Sequence, residues 1–205
     1  MLVVQRCGAV QQAAEAAVGQ ARGLGSSGNR SGLVLPYRPA LRRCRKATGI
    51  ENGTPTGPRT RVGAKTDDST RRALELENEC ADTVAGKGYR VHQNPTAQQV
   101  GDARDRTGDR GNPDKDPDYL IEGHVFDCYS PQARTSVRNV WSQVREKVDD
   151  EQTQRVVLNL KDWEGDVAAL RRQFDKWPIG GLKELAVVTR DGTIRQIVRE
   201  TERAS

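Results

Sequence analysis

Aromatic side chains are scarce in this sequence: two Phe, three Trp and four Tyr in 205 residues. Only Tyr37 lies within the first 68 residues, a stretch that also holds half of the 20 glycines. Little bulky apolar surface is present there to offset the entropy of ordering. Residues 1–69 are therefore expected to form a disordered, Gly/Arg-rich leader, relieved only by a weak Ala-rich helix at Val10–Ala21. The leader is basic, with 11 Lys/Arg against 4 Asp/Glu in residues 1–68, so its balance of +7 exceeds the net charge of +5 and leaves the remainder at −2. A basic tail can attract nucleic acid, but it can equally be a solvated linker. The pI of 9.2 thus says little about the substrate of the near-neutral remainder.

Other absences exclude other classes. The four cysteines (Cys7, Cys44, Cys80, Cys128) show no metal-finger spacing, and only two His are present. A structural Cys/His zinc site is excluded on that count. Cys80 sits in a helical pattern and Cys128 in a strand pattern, so both are expected as small core residues in a reducing compartment. No apolar run approaches the length of a membrane span. Met1–Val4 is too short for a signal-peptide core, so any export is expected to depend on something outside this chain.

What is present is a patterned segment, residues 70–200, followed by a tail at 201–205. Asp67, Asp68, Ser69 and Thr70 are N-cap candidates for a helix from Arg71 to about Ala85. Its stripe of Ala73, Leu76, Cys80 or Ala81, and Val84 follows the helical period. Tyr89–Gln93 alternates as a short strand, and residues 96–116, rich in turn formers, are expected as a long loop. Asp118–Glu122 and His124–Tyr129 form a hairpin about Gly123. A helix over residues 134–148 follows, with Val137, Val140, Trp141, Val144 and Val148 on one face. Arg155–Leu160 and Leu182–Val188 are continuous apolar runs, the pattern of buried strands. Between them Asp166–Asp175 reads as a helix, and Asp191-Gly192 turns the chain into a last strand, Ile194–Val198. The order α-β-β-β-α-β-α-β-β predicts an α/β (α+β) domain, a single mixed β-sheet flanked by helices.

The hairpin carries the chemistry. Pairing about Gly123 sets Asp118 opposite position 128, one step from Asp127, and so brings two carboxylates onto neighbouring strands. Such a pair repels unless a proton or cation lies between, and a divalent metal with oxygen ligands is the natural occupant. Metal-assisted phosphodiester hydrolysis uses this arrangement. The first helix offers Glu75, Glu77 and Glu79 as a third acid. Glu77 is chosen because it shares a stripe with Ala81 and Val84. A cation is needed for charge developing on phosphorus; Lys147 is the candidate and Lys161 the fallback. Plainer roles compete: Asp118 as a turn cap, Glu77 as a surface acid, Glu122 and His124 as hairpin-edge residues. Asp127 is hardest to explain away, since an unpaired acid inside Val125–Tyr129 is costly. Trp141, Trp163 and Trp177 are expected to pack in or around the core.

The runs Pro117-Asp118-Tyr119-Leu120-Ile121-Glu122-Gly123 and Val125-Phe126-Asp127-Cys128-Tyr129-Ser130-Pro131 resemble the C-terminal toxin domain of contact-dependent growth inhibition proteins. So do residues 152–160 (QTQRVVLNL) and the Glu77-Asn78-Glu79 helix leading to Gly88-Tyr89, and the likeness extends over about residues 72–198. The resemblance implies the restriction-endonuclease-like fold of the PD-(D/E)XK superfamily and a monomeric, metal-dependent tRNA nuclease, with Mg²⁺ or Zn²⁺ as cofactor. It implies delivery as a secreted or cell-surface toxin into the cytoplasm of a competing bacterium, and a cognate immunity protein as partner. By position it assigns Glu77, Asp118 and Asp127 to the metal and Lys147 to assisting catalysis. One departure stands out: the superfamily's acid-x-lysine signature would begin at Glu122, yet position 124 is His. A DNA endonuclease of the same superfamily and an inactive nucleic-acid- or partner-binding module are the alternatives to be separated by experiment.

Overall fold

Asp67 caps the first helix as expected, its side chain accepting from the Thr70 amide. The computed structural model describes residues 45–199. The expected helix at Val10–Ala21, Cys7, Cys44, most of the leader and the tail at 201–205 lie outside the described residues. Within them the order is α1 (Asp68–Gly86), β1 (Val91–Gln93), α2 (Ala97–Thr107), β2 (Tyr119–Ile121), β3 (His124–Tyr129), α3 (Val137–Asp149), β4 (Arg155–Asn159), α4 (Val167–Lys176), β5 (Glu184–Val188) and β6 (Ile194–Val198).

The six strands form one mixed sheet in sequential order. β3, β4 and β5 run parallel, while β1, β2 and β6 pair antiparallel at the flanks. The parallel pairs are joined through α3 and α4, as parallel neighbours require a crossover. Alternation along the strands separates two apolar layers. Val156 and Leu158 of β4 pack with Val140, Trp141 and Val144 of α3 and with Leu170 and Phe174 of α4. Val157 packs on the other face with Cys80, Ala81 and Val84 of α1 and with Tyr119, Ile121 and Phe126. All five residues of β4 are buried, so its unbroken apolar run is explained by helices on both sides. Cys80 and Cys128 are free thiols of the α1 layer, as their patterns predicted.

Two expectations need correction. Residues 96–116 are not wholly loop, because α2 occupies Ala97–Thr107 behind a capping box of Thr96 and Gln99. Only Val100 and Ala103 of α2 are buried, against Val125 and Leu120, so its apolar stripe is too narrow to announce itself. Residues 45–66, expected within the disordered leader, are instead bound to the domain. Gly49 and Asn52 donate backbone bonds to Gly88 and Gly86, and Thr56 bridges His92 beside β1. These bonds are made by main chain, which apolar composition does not report. Gly57 permits one such approach: at φ +83, a Cβ there would lie 2.3 Å from the Gln93 carbonyl oxygen. The segment also covers the free edge of β1, where unpaired backbone groups would otherwise be exposed.

Candidate active site

The hairpin turn decides how the two central aspartates meet. Glu122 and Gly123 both have positive φ, 50° and 77°, as a two-residue turn with the right twist demands. The ladder pairs Tyr119 with Phe126 and Leu120 with Val125. Continued by one residue, it sets Asp118 opposite Asp127 itself, one position closer than the expected register. Asp118 is fixed by the Cys128 amide, which donates to its Oδ2 at 2.8 Å. Asp127 lies between Phe126 and Cys128, whose side chains belong to the α1 layer, so its own side chain projects toward α3.

There it meets Lys147. The Lys147 ammonium lies 2.5 Å from Asp127 Oδ2, with the carboxylate 1% and the lysine side chain 16% exposed. Asp127 Oδ1 is buried and receives no hydrogen bond from any described group. Burial first, then the charge of Asp127 and a hydrogen bond shared with it, push Asp118 well above the usual carboxylate range; Glu77 adds to this and Lys147 opposes it. The expected pair is therefore in contact, and Asp127 makes Asp118 harder to ionise.

Glu77 reaches the cluster from α1. The Tyr119 hydroxyl donates to the Glu77 carbonyl oxygen at 2.5 Å, tying that turn of α1 to β2. The Glu77 carboxylate accepts from the Thr60 hydroxyl. Glu75 is exposed. The fallback cation, Lys161, pairs with Glu79 on the surface rather than with the aspartates.

The other hairpin residues are accounted for elsewhere. Glu122 accepts from the backbone amides of Thr48 and Arg90 at the turn. His124 opens β3, three positions before Asp127, and its Nδ1 lies 3.5 Å from Asp109 Oδ2. The acid-x-lysine position thus falls among a different set of charges, and the site takes its cation from α3. Trp163 is buried with its indole donating to Thr135, and Trp141 donates to the Trp177 carbonyl. Trp177 itself is exposed, with Arg138 and Lys176 against its ring.

The arrangement suits a hard cation. Among the described residues no three His, Cys, Asp or Glu side chains are gathered closely enough to hold a metal unaided. Asp118 and Asp127, with one orphaned oxygen between two acids, fit an ion of the Mg²⁺ type. Such an ion binds through one or two carboxylates and completes its shell with water and phosphate oxygens. Zn²⁺, which favours His and Cys, fits this donor set less well.

Comparison with known proteins shows the family to which this domain is related. The family model for the contact-dependent growth inhibition CdiA C-terminal domain matches residues 115–194, a span that contains both aspartates and Lys147. A solved structure, the CdiA-CT/CdiI toxin and immunity complex from Burkholderia pseudomallei, contains a chain 34% identical to this one. The match has a TM-score of 0.59 and covers 70% of this chain and 98% of that one. The chain belongs to the CdiA C-terminal domain family. It is also 37% identical over 149 residues to the tRNA nuclease CdiA-2 of Burkholderia pseudomallei (strain 1026b), a match covering 73% of this chain. The matched region spans only 4% of that much longer relative. Within the family frame, Asp118, Asp127 and Lys147 form one contiguous cluster, with Glu77 alongside. Thr60 and the Tyr119 hydroxyl, which sequence reasoning did not single out, contact Glu77 through its carboxylate and its backbone carbonyl.

Proposed function

We propose that this domain is a metal-dependent endoribonuclease toxin that cleaves tRNA in the cytoplasm of competing bacteria, and that a cognate immunity protein restrains it. The observation that carries the reading is the buried Asp127, paired with Lys147 through Oδ2 while its Oδ1 has no donor among the described residues, beside the buried Asp118. The relatives add the substrate and the partner: one is named a tRNA nuclease and another was solved as a toxin and immunity complex. No helix among the described residues is long and apolar enough to cross a membrane.

Asp118 and Asp127 would hold the divalent metal, with Glu77 completing its acidic surroundings. When bound, the metal supplies Lewis acidity to the scissile phosphate. The chain's own groups do the remainder. Lys147 holds Asp127 in one orientation and places a positive charge where negative charge develops on the phosphoryl oxygens. The Cys128 amide fixes Asp118, so neither acid must reorganise when substrate arrives.

The test is incubation of the purified protein with total RNA, purified tRNA and plasmid DNA, with Mg²⁺, Zn²⁺ or a chelator, beside Asp127→Ala. Discrete tRNA fragments that need metal and vanish with the variant are expected. Nicked plasmid with untouched RNA would point to a DNA endonuclease and sink the reading. No cleavage of any substrate would leave a binding module.

A further inference from the structure

We infer that Thr60 is a positioning residue of this site, holding the Glu77 carboxylate in one fixed orientation through a hydrogen bond whose direction the surrounding hydrogen-bond network dictates. The inference rests on the reading of Glu77 as the third acid of the metal site. Thr60 lies in the segment joined to the domain's edge, and it is buried together with Asn78 of α1 and Gln93 of β1.

The direction of each bond follows from backbone groups that have no choice. Asn78 Nδ2 donates to the Thr60 carbonyl at 2.9 Å, and the Thr60 amide donates to Asn78 Oδ1 at 3.0 Å. A carbonyl only accepts and an amide N–H only donates, so the Asn78 side chain has one possible orientation. Its Oδ1 is then an acceptor, and the Gln93 group 2.7 Å away must be the NH₂ end. Asn94 is fixed in the same way, because its Nδ2 donates to the Pro58 carbonyl at 2.7 Å.

Both of these NH₂ groups also reach the Thr60 hydroxyl oxygen, Asn94 at 2.9 Å and Gln93 at 3.2 Å. A hydroxyl has two lone pairs and one hydrogen. The two amide donors occupy the lone pairs and can accept nothing in return. The hydrogen is left for Glu77 Oε1, the remaining partner within reach. A hydroxyl that donates to a carboxylate stabilises the charged form and restricts rotation. Residues that orient metal-binding groups in this way typically contribute tenfold or more to affinity or activity.

The experiment is calorimetric titration of Mg²⁺ into the full chain without RNA, followed by kcat and KM for tRNA cleavage, on wild type, Thr60→Val, Thr60→Ser and Asn94→Gly. Thr60→Val keeps the shape and removes the donor. It is expected to weaken Mg²⁺ binding about tenfold and lower kcat to a similar extent, with KM for tRNA little changed. Thr60→Ser should restore both. Asn94→Gly suits the positive φ of 49° at that position; it frees one lone pair and should give a smaller loss of the same sign. Should Thr60→Val fail to fold, the ordering of wild type, Thr60→Ser and Asn94→Gly decides the matter. Unchanged Mg²⁺ affinity in folded Thr60→Val, no Mg²⁺ binding by wild type, or equal losses in the Val and Ser variants would overturn the inference. Mg²⁺ binding that depends on Thr60, in a protein that cuts no RNA, would support the inference while ending the nuclease reading.

Discussion

Two buried clusters of charge lie along the central strands, and they are finished differently. Near the first residues of β4 and β5, Arg155 donates to both oxygens of Asp109 at 3.0 Å and to Glu184 at 3.0 Å. Arg45 adds two more donors to Glu184, Gln196 reaches its other oxygen, and Lys183 reaches Asp109. Every carboxylate oxygen there has a donor. In the middle of β3 the balance is reversed. Asp118 and Asp127 face each other with Lys147 between layers, and Asp127 Oδ1 is left without one. A closed network rigidifies a fold, whereas an acid pair with an empty acceptor is a place for a ligand. The same types of residue are closed off in one place and left open in the other, and the completeness of hydrogen bonding distinguishes them.

The largest effect is expected from opening the closed cluster. Arg155→Met leaves Asp109 and Glu184 buried without their shared partner, which costs about 3–5 kcal/mol. Urea unfolding measures this, and a loss below about 1 kcal/mol would show that Arg45 and Lys183 suffice alone. Cleavage per folded molecule should stay near that of wild type, since Arg155 bonds Asp109 and Glu184 whereas Asp118 and Asp127 are held by the Cys128 amide and Lys147.

Acid opens the same cluster without mutation. Burial raises the Asp109 carboxyl, but contacts with His124, Arg155 and Lys183 outweigh it and hold the group well below its ordinary range. A depressed folded-state value means that Asp109 stabilises the fold fully above its unfolded pKa of about 3.9. That contribution is lost as pH falls through the lower folded-state value. Wild-type stability should therefore drop steeply below about pH 4, and Arg155→Met should show a shallower slope there. Parallel slopes in pH-dependent urea midpoints would contradict the assignment.

The converse change is made at the other cluster. Lys147→Met should reduce tRNA cleavage by at least about 100-fold, measured as kcat on purified tRNA. The variant leaves the buried Asp127 unpaired, so kcat is taken per folded molecule, as for Arg155→Met. A variant that retains near-wild-type kcat would move the cationic role away from α3, with Lys161 the next position to test.

The comparison also explains what could be read from the sequence. Asp127 stood out because an acid inside Val125–Tyr129 contradicts its apolar surroundings, and Lys147 was offered as a cation near the end of the helix after the hairpin and by the family resemblance; the structure pairs the two. The buried strands were legible because β4 and β5 are unbroken apolar runs. The register was not, since one residue more or less at Glu122-Gly123 depends on backbone dihedrals rather than on side-chain type. Thr60 was hidden for a related reason. Residues 45–66 are held mainly by main-chain bonds and polar contacts, and low apolar content there looked like disorder. The capping box of Thr96 and Gln99 was present as a signal, but α2 buries only two residues beneath it.

The smallest effect sharpens the contrast most. Asp118 is pushed upward by burial and by Asp127, so its sign is opposite to that of Asp109. A raised folded-state pKa gives stability that is fully present below about pH 3.9 and is lost as pH rises through the folded-state value. At neutral pH in a chelator, Asp118 therefore weakens the fold it belongs to. Asp118→Asn keeps an oxygen for the Cys128 amide, removes the like charge and brings an amide donor beside Asp127. It should raise stability by about 1 kcal/mol while abolishing cleavage, the trade expected of a functional acid. Added Mg²⁺ should then stabilise wild type by mass action and leave the variant unchanged. A variant less stable than wild type in chelator would show that Asp118 is a structural acid like Asp109, and the distinction between the two clusters would fall.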